Sequence, residues 1–231
     1  MAPQFLQAKV TSNQLISAHI HQIICQIDSP LNFIPGQYLI VKIHDTRISQ
    51  YSLASLPNGD SFQLLVDVSP GGDSSQYFQS LQAGDTLEYL PPQGNFIFRQ
   101  DDQATNLLFL ATGSGLAPLI CMIESLLLQG DTRSIYLLFG VRNQQDIFFQ
   151  SKLSELASQS PQFNYLICLS DPESGWAGHT GHITHYINNL NLPWPTTAVY
   201  LCGAPSMIIE SQEQLIKLGV PLTQIYFEKY W

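Results

Sequence analysis

The stretch Leu107-Leu108-Phe109-Leu110-Ala111-Thr112-Gly113-Ser114-Gly115-Leu116-Ala117-Pro118 decides the fold. Its first five residues are uniformly apolar, as in a strand buried on both faces, and the glycines that follow let the chain turn sharply into an apolar helix. Pro118 suits the first helical turn, where an N–H has no intrahelical partner. Glycines at such a turn also let a pyrophosphate approach the backbone N–H groups at the positive end of the helix dipole. A single glycine loop is weak support for a nucleotide site, because a tight strand-to-helix turn explains it equally well.

Toward the C-terminus the same grammar repeats. Apolar runs at Ile135–Phe139, Tyr165–Leu169 and Val199–Cys202 alternate with helical patterns near 116–129, 146–159, 181–190 and 206–218. This alternation predicts a parallel sheet with helices on its faces, with an N-cap at Asp146 and a helix end at Gly219. Such sheets bind ligands beyond the carboxyl ends of their strands. The loops to read are therefore Thr112–Pro118, Gly140-Val141-Arg142, Ser170-Asp171-Pro172 and Cys202-Gly203-Ala204-Pro205-Ser206-Met207.

Toward the N-terminus the period shortens. Runs with strand-type alternation at 15–20, 22–27, 37–43, 62–68, 86–90 and 95–98 are separated by Pro35-Gly36, Pro57-Asn58-Gly59, Pro70-Gly71-Gly72 and Ala83-Gly84-Asp85. Short strands punctuated by turn formers predict a small antiparallel barrel. The expected fold class is β plus α/β: an N-terminal antiparallel β-barrel domain over residues 1–101, then a doubly wound parallel-sheet nucleotide domain over residues 102–231.

Composition narrows the function. With 45% hydrophobic and 12% charged residues the chain can bury a core and is not of the disordered class. A net charge of −9, with nine Lys and Arg spread singly, provides no basic stripe for nucleic acid. Cys25, Cys121, Cys168 and Cys202 lie far apart, which argues against structural zinc or an iron–sulfur centre and makes a reducing cytoplasm the expected compartment. The N-terminus lacks the basic-then-apolar pattern of a signal peptide. The most apolar stretch, 107–128, is broken by Gly113, Ser114, Gly115 and Pro118, so no membrane span is expected.

Six segments together carry a resemblance over nearly the whole chain. They are Pro35-Gly36-Gln37-Tyr38, Tyr51-Ser52-Leu53-Ala54-Ser55, Gly72-Asp73-Ser74-Ser75, the Gly113–Pro118 loop, Trp176-Ala177-Gly178-His179-Thr180-Gly181 and Cys202-Gly203-Ala204-Pro205. In this order they resemble the ferredoxin–NADP reductase superfamily, especially its bacterial flavin reductase and oxygenase-reductase branch. The resemblance implies that the first domain binds FAD and that the enzyme moves a hydride from a nicotinamide dinucleotide to the flavin, then passes electrons to an acceptor. It implies a flavin-facing set of Arg47, Ser49, Gln50, Tyr51 and Ser52, with Leu65, Val66 and Asp67 beside it. Gly71, Gly72, Asp73, Ser74 and Ser75 would hold the flavin pyrophosphate. Thr112, Gly113, Ser114, Gly115, Pro118, Arg142, Ser170, Asp171, Cys202, Gly203, Ala204, Pro205 and Met207 would face the nicotinamide nucleotide. Ser52, Cys202 and Glu228 are the implied catalytic residues, and Tyr230 or Trp231 would shield the flavin. The motif also accounts for His179, His182 and His185 without a metal, and none is expected.

Two departures sharpen these expectations. The superfamily pairs the flavin phosphates with an arginine two residues before the tyrosine, where this chain has Ser49. Arg47 lies on the same face by period-two spacing, and Arg99 is a second candidate cation. NADPH users of the superfamily place a base after the third strand of the second domain, whereas Asp171 stands here, which favours NADH over NADPH. Free flavin or another small acceptor is the leading electron acceptor. The alternatives are an electron-transfer component with bound FAD serving an oxygenase or other redox protein, and a non-catalytic nucleotide-binding subunit. The negative charge disfavours an acidic ferredoxin as partner.

Overall fold

A computed structural model describes residues 4–99 and 103–230. The chain divides into two compact units, one running to Phe98 and including Ile120–Ser125, the other comprising Arg99–Leu119 and Leu126 onward. The boundary expected at 101/102 falls outside the described residues.

The first unit is built from β1 (Leu6–Leu15), β2 (Ile20–Gln26), β3 (Tyr38–His44), β4 (Arg47–Ser52), β5 (Ser61–Asp67), helix α1 (Asp73–Ser80) and β6 (Thr86–Gln93). All pairings are antiparallel in the order β4-β3-β6-β1-β2-β5, and a bridge between Leu53 and Leu64 joins the two ends of the sheet. Alternate residues point inward, so Ala8, Val10, Leu39, Val41, Leu64 and Val66 form one buried cluster with Phe62, and Phe78 of α1 is fully buried in it.

Two expected strands are corrected. Residues 16–19 form the turn between β1 and β2, closed by the Ile16 N–H donating to Ile20 O at 2.9 Å and by Ser17 Oγ accepting from Ile20 N at 3.3 Å. The segment 95–98 buries Phe96 and Phe98 but is irregular, with Phe98 N donating to Pro35 O at 3.1 Å. The ten-residue β1 has a thin hydrophobic signal because only Ala8 and Val10 of its side chains are buried.

The second unit contains β7 (Asn106–Thr112), α2 (Leu116–Leu128), β8 (Ser134–Val141), α3 (Gln150–Gln159), β9 (Phe163–Leu169), β10 (His179–Thr180), α4 (Thr184–Ile187), β11 (Thr197–Gly203), α5 (Pro205–Leu218) and β12 (Ile225–Lys229). The six strands are parallel in the order β10-β9-β8-β7-β11-β12. The chain starts in the middle with β7, winds outward through β8, β9 and β10, then crosses back to β11 on the other side. The winding direction therefore reverses between β7 and β11, which makes the crevice at their carboxyl ends the ligand position for this topology. Residues 107–111 and 197–203 are buried throughout, as strands covered on both faces require.

Gly219 ends α5 in the left-handed conformation, φ 96°, with Val220 N donating to Leu215 O at 3.0 Å. The expected N-cap at Asp146 is corrected: Asp146 closes a short 3-10 turn over 144–146, accepting from Asn143 N at 3.1 Å, and α3 starts after Phe149. The helix expected over 181–190 is only Thr184–Ile187. No helix among the described residues is long and apolar enough to cross a membrane.

Candidate functional site

In the first unit, Gly71 and Gly72 lead into α1 with φ of 69° and 97°, a region that side chains disfavour. A Cβ added to either would meet no atom within 4 Å, so the space above the turn is open. No side chain caps α1, which leaves its first N–H groups to an acceptor from outside. Around this helix start the fold gathers residues from three elements. Ser49 Oγ on β4 lies 2.9 Å from Ser74 Oγ on α1. The Tyr51 ring meets Phe78 edge-on at 4.6 Å. Burial pushes the Tyr51 phenol up, against the hydrogen bonds of Ser74 and Ser49 and the charge of Arg47. Tyr51 is thus a neutral phenol with its polar end turned to the helix start and its ring against the core.

Asp73 is engaged by His44 Nε2 at 3.3 Å. Sequence reading missed His44, because nothing in the local pattern at the end of β3 links it to a residue 29 positions away. Its register partner across the β3–β4 hairpin is Arg47, so two side chains capable of positive charge adjoin there. The arrangement of an open glycine turn, uncapped N–H groups, hydroxyls and Arg47 fits a pyrophosphate, even though Ser49 holds no charge.

The remaining first-unit candidates are placed as follows. Ser52 is buried. Gln50 Nε2 donates to the Tyr38 hydroxyl at 3.3 Å. Leu65 and Val66 bury their side chains and stand in register with Gln22 and His21 of β2. Asp67 accepts from Ser69 N at 2.8 Å and lies 3.9 Å from His19 Nε2. Ser75 is buried.

In the second unit, the crevice between β7 and β11 is held by close packing. Thr112 Oγ1 accepts from Ala204 N at 2.8 Å, tying the two loops together. A Cβ on Gly115 would strike the Cys202 carbonyl, and one on Gly203 would strike Thr112 Oγ1 and come within 2.8 Å of Thr112 O. The loop's other glycine, Gly113, faces open space. Beside it, the 3-10 turn over Gly113–Gly115 that leads into α2 has no side-chain cap. Ser114 sits in this turn, Pro118 is buried in the first turn of α2, and Pro205 occupies the first turn of α5. This open, uncapped turn fits a second phosphate group.

Cys202 stands in register beside Glu228 on β12, and Tyr230 N donates to Gly203 O at 3.0 Å. Burial pushes the Cys202 thiol far up, helped by the charge of Glu228 and opposed by a hydrogen bond with Tyr230. The thiol is therefore held in its neutral form, in which it can pack or donate a hydrogen bond. Arg142 and Asp171, on the loops after β8 and β9, form an ion pair at 3.3 Å, with the exposed Ser170 beside it. Met207 is buried in the core cluster rather than displayed on the loop.

Arg99, the alternative cation, has its guanidinium 5.9 Å from the Tyr226 ring centroid, and the Arg99 backbone N–H donates to the Tyr200 hydroxyl at 3.1 Å. The His182 and His185 rings are 5.7 Å apart, and among the described residues no three metal-ligating side chains group to hold an ion. Trp231 lies outside the described residues.

Comparison with known proteins accounts for both units. Residues 7–98 match the model of the oxidoreductase FAD-binding domain, and residues 109–213 match that of the oxidoreductase NAD-binding domain. The chain is 32% identical over 202 residues to the toluate 1,2-dioxygenase electron transfer component of Pseudomonas putida, covering 87% of this chain and 59% of that protein. It is 33% identical over 188 residues to ferredoxin–NADP reductase B of Sorangium cellulosum, covering 78% of this chain and 77% of the relative. The crystal structure of the Amycolatopsis cytochrome P450 reductase GcoB superposes with a TM-score of 0.90 at 26% identity, over 98% of this chain and 69% of that one. The chain thus spans only part of the longer oxygenase-system relatives but most of the shorter reductase. It belongs to the ferredoxin–NADP reductase family, with an FAD-binding and an NAD-binding oxidoreductase domain.

Proposed function

We propose that this protein oxidises NADH by hydride transfer to FAD and delivers the electrons to a redox protein of an oxygenase system. The observation that carries the reading is the pair of uncapped, glycine-opened helix starts, one in each unit, within halves that match an FAD-binding and an NAD-binding domain. Bound FAD supplies two-electron acceptance from a nicotinamide and onward release of electrons. The protein contributes binding and orientation. Gly71, Gly72, Ser74 and Ser75 hold the flavin pyrophosphate with help from Arg47, and Tyr51 and Ser52 line the flavin face. Thr112, the Gly113–Gly115 turn and Gly203–Pro205 hold the dinucleotide. The neutral Cys202 thiol, Glu228 and Tyr230 border the reacting ring and keep water from it. Asp171 favours NADH because a carboxylate accepts a ribose hydroxyl and repels a phosphate dianion. Cys25, Cys121, Cys168 and Cys202 are buried and none is disulfide-bonded among the described residues, which supports a reducing, cytoplasmic setting.

A second reading is favoured by Ser49. With a hydroxyl where the superfamily carries an arginine, FAD would be held loosely and exchanged as a substrate. Steady-state NADH oxidation separates the two. Protein that retains FAD through gel filtration and turns over with an added protein acceptor supports the first. Colourless protein that oxidises NADH only when free flavin is supplied supports the second. Under either, Ser52→Ala should lower the rate by about tenfold to a hundredfold, and an unchanged rate would remove Ser52 from the site.

A further inference from the structure

Helix α1 is finished by side chains at one end only. At its carboxyl end, Asn13 of β1 donates through Nδ2 to Phe78 O at 2.8 Å and to Leu81 O at 2.7 Å, both partly buried, and Ser80 Oγ donates to Tyr77 O at 2.8 Å. At its amino end no side chain caps the helix. A helix leaves backbone groups in want of partners at both ends, so this fold supplies partners to the carbonyls and leaves the N–H groups to a ligand. The Asn13 amide can sit only one way round, because turned over it would set Oδ1 against two carbonyl oxygens. Oδ1 therefore faces His21 Nδ1 at 2.7 Å and, being an acceptor, requires the proton on that nitrogen. Burial pushes the His21 imidazole below its usual pKa, which favours this neutral ring.

We propose that Asn13, oriented by His21, is a positioning residue for the flavin pyrophosphate: it fixes the carboxyl end of α1 and so aims the uncapped N–H groups at the other end. The inference rests on the reading of the turn into α1 as the pyrophosphate site. Phe78 buries one side of the helix completely, but apolar burial sets depth without setting direction. Hydrogen bonds to two carbonyls do set direction. At the amino end the His44–Asp73 contact is exposed and the Ser49–Ser74 pair joins two rotatable hydroxyls, so neither holds the helix as firmly. An eight-residue helix is about 12 Å long, so a tilt of about 10° at one end carries the other about 2 Å, enough to break a hydrogen bond. The short helix thus acts as a lever whose far end is held by β1 and β2.

The test is FAD binding to the full chain, by flavin-fluorescence titration, for wild type, Asn13→Ala and His21→Ala. Affinity should fall about tenfold in Asn13→Ala, which removes the donor of both carbonyls, and about threefold in His21→Ala, which keeps the donor but frees the amide to turn. At saturating FAD, the phosphorus NMR resonances of the bound pyrophosphate should shift in both variants while the visible absorption of the bound flavin ring stays as in wild type. A merely structural role would disturb the ring and the phosphates together. Unchanged affinity, unshifted phosphorus resonances, or a ring spectrum that changes in parallel would each overturn the proposal. If Asn13→Ala does not fold, His21→Ala decides by the same readings. Wild type that binds no FAD would instead strike down the pyrophosphate reading, and the positioning role with it.

Discussion

At the start of α1, Gly71 and Gly72 face empty space, and only the backbone conformation calls for glycine there. At the start of α2, Gly115 presses on the Cys202 carbonyl and Gly203 presses on Thr112, so glycine is needed because two loops touch. Both helix starts lack a side-chain cap. The first is an open turn surrounded by the polar side chains of Ser49, Ser74, Asp73 and His44; the second is a crevice walled by the Cys202 and Thr112 backbone and the Thr112 hydroxyl. The lesson is that a glycine loop in sequence conceals two different demands, and only the packing around it tells them apart.

Substitutions break or sharpen this contrast. Gly203→Ala should have the largest effect, because its Cβ falls on Thr112 at a φ of 135°. A loss of about 3 kcal/mol in urea unfolding is expected, from overpacking and backbone strain together. Gly71→Ala, which meets no atom, should cost about 1 kcal/mol through backbone conformation alone. Equal losses at the two sites would dissolve the contrast. Next in size, Ser49→Arg should restore the cation that superfamily members use and tighten FAD binding about tenfold in a flavin-fluorescence titration. No change would show that Arg47 already serves the phosphates.

A smaller effect is expected at the tie between the β7 and β11 loops. Thr112→Val removes the acceptor of the Ala204 N–H, and a loss of about 1 kcal/mol in the same unfolding measurement follows from leaving that donor unpaired. The smallest effect is alkaline. Burial raises Cys25 and Tyr77 to about 12, first among the causes in each case, from usual values of 9.0 and 10.0. These groups are held neutral in the fold, so their contribution is complete below pH 9 and declines as the pH climbs toward 12. Unfolding midpoints should fall between pH 9 and 11, and Cys25→Ala should flatten that slope.

Much of the second unit was legible in the sequence because strands buried on both faces read as unbroken apolar runs, as in Leu107–Ala111. The first unit was less so. β1 turns only Ala8 and Val10 into the core, and its polar remainder resembles a loop, while the apolar residues at 15–20 bracket a turn. Asp146 reads as a helix cap by residue type, yet its carboxylate serves the preceding 3-10 turn. The motif glycines, serines and Thr112 could be named from the family resemblance. The pairs that give them chemistry could not: His44 with Asp73 and Arg142 with Asp171 each join residues 29 apart, and such pairing follows from which strands are neighbours. In the sequence Arg142 and Asp171 stand on separate loops, and only the order β9-β8 sets those loops side by side.

The central claim is that one chain brings NADH and FAD into redox contact. The most direct test is the visible spectrum of the FAD-loaded protein, followed anaerobically as NADH is added. The account predicts that the flavin absorption band bleaches in proportion to the NADH supplied. A flavin band that persists through an excess of NADH, on protein shown to bind both, would contradict it.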